Sequence, residues 1–279
     1  MLELEHGFRV VDVHARLDTG PTGDVVEAHG PPTTPERLER EMRQAGIIRS
    51  VVFPGYSDGG YLRANNTVAR HAVDRLFIAF ARLNGPRDPS DTPVAKLKNL
   101  TASREEKHTD PTDVERYGYD DRFAGFKLDP LRDGLPGEAV LETLAEVGLP
   151  VLVHVGEGFP PAAVEATLLD RSFPVIIAHF GGYPLRRDYM STTIDLLDSY
   201  DECYLDTSVV RYRDLLERAL LEYPHRILFG SGAPDVHPNV AVMELLTLNI
   251  SEDAMRKAFA KNATRVVPQL SADASQRQS

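Results

Sequence analysis

Two polar side chains end an apolar stretch near the amino terminus, VVDVHARL, residues 10–17. They are His14 and Arg16, and side chains two apart on a β-strand point to the same side. We therefore expect both to enter one site. A pair of histidines at this spacing would indicate a metal centre, whereas an imidazole beside a guanidinium leaves the chemistry unsettled.

Other apolar runs also end in polar or small residues, and they recur at a regular distance. The runs are FAGFKL, PVLVHVG, PVIIAHFGG, CYLDTS and RILFGSG, and the polar or small residues at or near their ends are Lys127, His154, His179, Asp206 and Gly232. The separations between these five positions are 27, 25, 27 and 26 residues. One strand and one crossover helix fill such a repeat.

Eight apolar runs in all alternate with amphipathic stretches, and each run is continuously apolar, as in a parallel sheet covered on both faces. One such stretch is TPERLEREMRQAG, with Thr34 as its N-cap, Pro35 in its first turn and Gly46 as its end. The pattern predicts an α/β fold, a single-domain (β/α)8 TIM barrel over residues 1–270, followed by a disordered tail, 271–279. We interpret the long polar segment 93–120 as a helix with an inserted loop that could act as a lid.

In a barrel, polar groups at the carboxyl ends of different strands meet at one mouth. That mouth would collect His14, Arg16, Lys127, His154, His179 and Asp206. Three imidazoles at one mouth favour a site that binds metal or transfers protons.

Composition excludes several classes of function. The chain has 279 residues, a formal net charge of -11 and 42% hydrophobic residues. Nucleic acid and anionic membranes are therefore poor partners. The sequence also contains no run of about 18 apolar residues, the length that a helix needs to span a bilayer. The single cysteine, Cys203, suits a reducing compartment. We expect a cytoplasmic protein with a small-molecule partner, and the sequence leaves a homo-oligomer open.

The ordered motifs DVHAR, GFKL, VLVHVG, IIAHFGG, YLDTS, ILFGSGAP and KNATRVV resemble those of the amidohydrolase-related family, metal-dependent barrel hydrolases and decarboxylases. The resemblance spans residues 10–270. It implies that His14 and His154 bind a metal, zinc by expectation, and that His179 is the catalytic acid or base.

Two positions depart from the family pattern. Arg16 stands where the family has a second histidine, and Gly232 stands where it has an aspartate, and neither side chain can donate a lone pair to a metal. Asp235 or His237 could restore a donor, so Asp235 is a second candidate catalytic residue. Such a role for Asp235 needs a tight turn from Gly232 to Asp235. That turn is disfavoured, because its third residue would be Pro234. The alternative is that the site binds no metal.

A site without metal would keep a similar charge, because the guanidinium of Arg16 is itself a cation. We therefore predict Arg16, Lys127 and Asp206 as substrate-binding residues, with a carboxylate as a suitable ligand. The structural alternative is that Arg16 forms an ion pair with Asp129, Glu157 or Asp206.

These observations predict a metal-dependent hydrolase of a small amide, lactone or related carbonyl compound. Two alternatives remain open from the sequence. One is a non-oxidative decarboxylase of a small carboxylic acid, and the other is an inactive barrel that binds a small acid or a protein.

Overall fold

The computed structural model describes residues 3–19, 33–57, 59–90 and 92–271. Eight parallel strands follow one another around a sheet in chain order. They are β1 (Val10–Leu17), β2 (Ile47–Pro54), β3 (Phe77–Leu83), β4 (Phe123–Leu128), β5 (Val151–Val153), β6 (Val175–Ile177), β7 (Cys203–Asp206) and β8 (Ile227–Leu228). The Val13 amide donates to the Phe229 carbonyl at 3.0 Å and the Arg16 amide to the Ala233 carbonyl at 2.8 Å, which joins β1 to the chain after β8. The predicted (β/α)8 barrel is confirmed.

Helices connect and cover the strands. They are α1 (Pro35–Gln44), α2 (Leu62–Val73), α3 (Pro93–Thr101), α4 (Pro111–Gly118), α5 (Pro130–Asp133), α6 (Glu138–Val147), α7 (Pro161–Val164), α8 (Arg187–Leu196), α9 (Arg213–Glu222), α10 (Pro238–Leu246), α11 (Glu252–Arg256) and α12 (Asn262–Val266). Single π-helical turns follow α7 and α11, and short 3-10 turns lie at Ala178–Gly181 and Pro268–Leu270. No helix within the described residues is long and apolar enough to cross a bilayer.

The start of α1 follows the sequence pattern closely. Thr34 accepts a hydrogen bond from the Arg37 amide, Pro35 is the first helical residue, and Gly46 has a φ of +67° just after the end. A hydroxyl at the N-cap and a left-handed glycine after the last turn satisfy backbone groups that the helix itself leaves unpaired.

The apolar side chains form two layers. Residues such as Val13, Phe80 and Ile176 from different strands pack together inside the barrel, and the C-terminal α12 joins this cluster. Alternate strand residues such as Val52 pack outward against helical residues such as Leu38. Both faces of the strands are therefore buried, which explains their continuous hydrophobicity.

The interpretation of segment 93–120 needs correction, because it holds two helices, α3 and α4. Asp110 accepts from the Asp113 amide and Asp113 accepts from the Asp110 amide, which is a capping box at the start of α4. Thr109 and Asn84 also exchange hydrogen bonds at 2.9 and 3.1 Å. The segment is thus tied to the chain after β3. Of the predicted tail, all but Ser271 lies outside the described residues.

A bulge in β1 directs His14 into the barrel. Asp12 pairs with Ser50 of β2, yet Ala15 pairs with Val52, so β1 holds one extra residue between these pairs. Asp12 accepts hydrogen bonds from the amides of His14 and Ser231 at 2.9 and 2.8 Å. Asp12 therefore anchors β1 while His14 reaches the mouth.

Candidate active site

A buried carboxylate organises the site. Asp206, at the end of β7, accepts a hydrogen bond of 2.6 Å on Oδ2 from His14 Nδ1. Its Oδ1 accepts from the backbone amides of His179 and Ser208, each at 3.0 Å, and from the Ser208 hydroxyl. Strands β1, β6 and β7 thus contribute to one cluster, as the sequence predicts.

The cluster has a defined charge pattern. Burial alone would raise the pKa of the Asp206 carboxyl, but the charge and hydrogen bond of His14, with His179 and Ser208, hold that pKa well below its usual range. Burial, together with the charges of His154 and His14, lowers the pKa of His179 well below 6.5. Burial and the charge of Lys127 do the same for His154. At neutral pH, Asp206 is ionised and both of these imidazoles are neutral.

The neighbours of the rings assign the ring hydrogens. A carboxylate only accepts, so His14 donates to Asp206 from Nδ1. His179 Nδ1 lies 2.8 Å from the hydroxyl oxygen of Ser208, whose hydrogen goes to Asp206, and 3.1 Å from the carbonyl oxygen of Ser208. Both oxygens accept, so Nδ1 carries the hydrogen and the lone pair of His179 is on Nε2. His154 Nδ1 lies 3.1 Å from that Nε2 and donates in turn. In the neutral rings, the Nε2 atoms of His14 and His154 therefore carry the lone pairs.

The backbone at His179 is held in an uncommon conformation. His179 and Phe180 have φ values of 59° and 48°, in the left-handed region where side chains other than glycine cost about 1 to 3 kcal/mol. The hydrogen bond from the His179 amide to Asp206 helps to hold this conformation. Left-handed residues of this kind cluster at functional sites.

His154 and Tyr183 lie where the cluster meets solvent. Both are half-buried, whereas His14 and His179 are buried. The centre of the Tyr183 ring lies 4.6 Å from the centre of the His154 ring and 5.0 Å from that of His179. His154 is therefore the imidazole of the cluster that a bound molecule can reach most readily.

His14, His179 and Asp206 form a candidate metal site. One ligand atom from each lies within 4.8 Å of the other two. A neutral imidazole at His179 and an ionised Asp206 are the forms that bind metal, and zinc and manganese accept such nitrogen and oxygen donors. The residues fit a divalent ion. His154, predicted as a ligand, is not in this group of three but contacts it through His179.

Lys127 projects from β4 toward the same region and is buried, with 2% of its surface exposed. Its Nζ has no hydrogen-bond partner among the described residues and lies 5.0 Å from the ring centre of Phe53, which also contacts the His14 ring. Burial lowers the pKa of Lys127 from 10.5 to about 8. The site thus contains a desolvated cation, and no carboxylate of the described residues lies within 4.0 Å of it.

Arg16 and Asp235 lie together, and the expected ion-pair partners of Arg16 need correction. Its guanidinium lies 3.5 Å from Asp18 and 3.8 Å from Asp235, rather than against Asp129, Glu157 or Asp206. Neither contact is a hydrogen bond, and Arg16 Nε is buried without a hydrogen-bond partner in the described part of the chain.

The turn after β8 differs from the sequence argument. The Ala233–Pro234 peptide is cis and the Val236 amide donates to the Gly232 carbonyl at 3.2 Å, so proline does occupy this turn. The turn carries Asp235, half exposed, to Arg16 and not into the imidazole cluster. A Cβ at Gly232 would lie 3.2 Å from Ser208, so the position of the missing aspartate does face the cluster.

Sequence reasoning missed a buried network beside Lys127. Arg82 of β3 donates to Asp133 at 2.7 Å and to Asp129 at 3.3 Å, and the Tyr61 hydroxyl donates to Asp133 at 2.6 Å. The signal was present in LFIAFARL, where one arginine stands in an otherwise apolar run. A cation in a buried strand requires nearby carboxylates, and DPLRD follows the next strand.

The chain matches the amidohydrolase family model over residues 11–269. No curated protein matches it significantly. Similar solved structures include an uncharacterised TIM-barrel protein from Bordetella bronchiseptica, with 18% identity, a TM-score of 0.66, and 94% of this chain and 99% of that chain covered.

Two further structures have named activities. The probable 2-pyrone-4,6-dicarboxylic acid hydrolase of Acinetobacter baumannii, with citric acid bound, has 15% identity, a TM-score of 0.62, and coverage of 94% of this chain and 100% of that one. The dihydroxybenzoic acid decarboxylase of Polaromonas sp. JS666, with manganese and 2-nitroresorcinol bound, has 16% identity, a TM-score of 0.62, and coverage of 95% and 98%. At these identities the structures show a shared fold. With its family match over nearly the whole length and its strand-end cluster, the chain belongs to the amidohydrolase family.

Proposed function

We propose that the protein is a hydrolase that cleaves an amide, lactone or related carbonyl bond in a small compound bearing a carboxylate. The observation that carries this proposal is the buried ammonium of Lys127, which has no hydrogen-bond partner in the described residues. A buried charge normally has a partner, because desolvation alone is costly. An anionic ligand would supply that partner, and the half-buried Arg16 is a second cation, on the strand that carries His14.

Two similar structures support a small acid as the ligand. One holds citric acid and is named for a dicarboxylic acid substrate, and the other is named for dihydroxybenzoic acid. Both names describe compounds with carboxylates. Lys127 and Arg16 would bind such a group in this chain.

The cations favour hydrolysis over decarboxylation. In hydrolysis the carboxylate that Lys127 and Arg16 bind does not react and keeps its charge, so the cations stabilise the substrate and the transition state alike. In decarboxylation the reacting carboxylate loses its charge as carbon dioxide forms. A cation in contact with it would then stabilise the substrate more.

Within this proposal, His154 and His179 take each other's expected roles. His154, half-buried and with its lone pair on Nε2, removes a proton from the attacking water and later returns it to the leaving group. His14, His179 and Asp206 would hold a divalent ion, zinc by our expectation, and His179 Nε2 would then bind the ion in place of the hydrogen of His154. When bound, that ion would polarise the carbonyl or a water molecule. Asp235 would orient Arg16.

The proposal is tested by a screen of lactones and amides of small mono- and dicarboxylic acids, with ring opening and carbon dioxide measured in parallel. Hydrolysis that is lost in His154→Gln and Lys127→Met, but kept in the surface variant Lys261→Met, would support it. Release of carbon dioxide without hydrolysis would instead establish the decarboxylase. Binding of acids without turnover, with or without added zinc or manganese, would establish the inactive barrel.

We also propose that the protein acts in the cytoplasm. Its one cysteine, Cys203, is buried and free, which suits a reducing compartment. Fractionation of the source cells, followed by detection of the protein, checks this location.

A further inference from the structure

A buried polar frame, defined as Tyr61, Arg82, Asp129 and Asp133, stands beside Lys127 and has no role in the chemistry proposed above. Each nitrogen of the Arg82 guanidinium donates one hydrogen bond, to Asp133 Oδ2 at 2.7 Å, to the Pro54 carbonyl at 3.2 Å and to Asp129 Oδ2 at 3.3 Å. The frame therefore fixes one oxygen of Asp129.

The other oxygen of Asp129 is an unexplained acceptor. Asp129 is 7% exposed, and its Oδ1 is buried without a hydrogen-bond partner among the residues that the structure describes. Buried carboxylate oxygens are rarely left in this state. Because Oδ2 is held by Arg82, rotation of the carboxylate cannot satisfy both oxygens within the frame.

The unpaired acceptor lies next to the unpaired donor. Lys127 is the second-last residue of β4, and Asp129 is the first residue after the strand and the N-cap of α5. Two residues apart in extended chain, their side chains leave it on the same side. Asp129 is the charged group that most favours the ammonium form of Lys127, yet no ion pair within 4.0 Å joins the two in the described chain. A donor and an acceptor thus face the mouth together, and neither satisfies the other.

We propose that Asp129 is a specificity-determining residue, which accepts a hydrogen bond from an N–H or O–H group adjacent to the substrate carboxylate that Lys127 binds. This inference rests on the proposed function and narrows its substrate class to acids with such a neighbouring donor. An acid with a hydrogen-bond acceptor next to its carboxylate would direct lone pairs at the Asp129 side chain. Asp129 Oδ1 would then stay without a hydrogen bond.

The test compares pyrrole-2-carboxylate with furan-2-carboxylate by calorimetry. The two acids share shape and charge, but the ring atom next to the carboxylate carries a hydrogen in pyrrole and a lone pair in furan. We expect the wild-type protein to bind the pyrrole acid about 10- to 100-fold more tightly.

Two variants and one control sharpen the comparison. In Asp129→Asn the amide oxygen should face Arg82 and the amide NH2 group should face the ligand, so the preference should reverse toward the furan acid. Lys127→Met should weaken both acids equally. Asp170→Asn, at an exposed position, should leave both affinities unchanged.

Each result has one meaning. Equal binding of the two acids by the wild type overturns the role of Asp129 while the carboxylate site stands, and this comparison needs no variant to fold. Unchanged affinities in Lys127→Met contradict the carboxylate site of the proposed function. Failure of both acids to bind to the wild type contradicts that site and removes the inference with it.

Discussion

The two sides of the barrel mouth differ in how their buried polar atoms are paired. On the side of β1, β6 and β7, the polar atoms of His14, His179 and Asp206 satisfy one another. On the side of β4, Lys127 Nζ and Asp129 Oδ1 have no hydrogen-bond partner in the described residues. The paired side is already organised for proton transfer, whereas the unpaired side lacks atoms that a ligand would bring. Stability and binding should therefore respond to mutation with opposite signs on the two sides.

Removal of Asp206 should give the largest effect. Asp206→Ala leaves the His14 Nδ1 hydrogen, the Ser208 hydroxyl and the His179 amide without their acceptor. Breaking a buried pair in this way should lower the free energy of unfolding by about 3 to 5 kcal/mol, measured by urea denaturation.

Asp235→Ala is the matched control for that experiment. Asp235 is half exposed and lies 3.8 Å from Arg16, so its removal should change stability by less than about 1 kcal/mol. Similar losses in the two variants would contradict the idea that the paired side is the more preorganised one.

Removal of Lys127 should have the opposite sign. Its pKa falls from 10.5 to about 8 on folding, so the ammonium destabilises the folded state at neutral pH. Lys127→Met should raise the free energy of unfolding by about 2 to 3 kcal/mol, measured by urea denaturation at pH 7. Lys261→Met, at an exposed surface pair, should change it little. A lower stability of Lys127→Met would instead show that Lys127 makes a contact that stabilises the fold.

The pH dependence of stability should separate the charge of Lys127 from its packing. Because the pKa is lower in the folded protein, the unfolded chain binds this proton more tightly between pH 8 and 10.5. Stability should therefore rise with pH in that window, by up to about 1.4 kcal/mol per pH unit. Below pH 8 both states hold the proton and this group gives no slope. The difference between wild type and Lys127→Met should shrink over the same window, and a constant difference would contradict the assignment.

The frame behind Asp129 should give the smallest effect. Tyr61→Phe removes the hydroxyl that donates to Asp133 at 2.6 Å. We expect a loss of about 1 to 2 kcal/mol in the free energy of unfolding, with a weaker preference for the pyrrole acid. Tyr119→Phe, at an exposed tyrosine, serves as the control. An unchanged preference would show that Tyr61 supports the fold without orienting Asp129.

The barrel could be predicted because its signals are local. Continuous apolar runs, a capping threonine at Thr34 and a glycine at Gly46 each act within a few residues, and the spacing of the runs follows from one strand and one helix. The convergence of His14, His179 and Asp206 then follows from barrel geometry alone.

Contacts between distant loops could not be predicted in the same way. The structural alternative paired Arg16 with Asp129, Glu157 or Asp206, whereas Arg16 lies near Asp18 and Asp235, on the loops after β1 and β8. The pairing of Arg82 with Asp133 spans 51 residues of sequence. Such partners depend on loop conformations that composition and periodicity do not encode.

The hydrogen bond between His14 and Asp206 joins residues 192 positions apart. One comes from the first strand and the other from the seventh, while the first strand itself needs the segment after the eighth to close the ring. During translation, His14 therefore cannot form its hydrogen bond with Asp206 until most of the polypeptide has left the ribosome. Any activity should therefore appear only after the segment that follows β8 has been synthesised, and a chain truncated before that segment should be inactive.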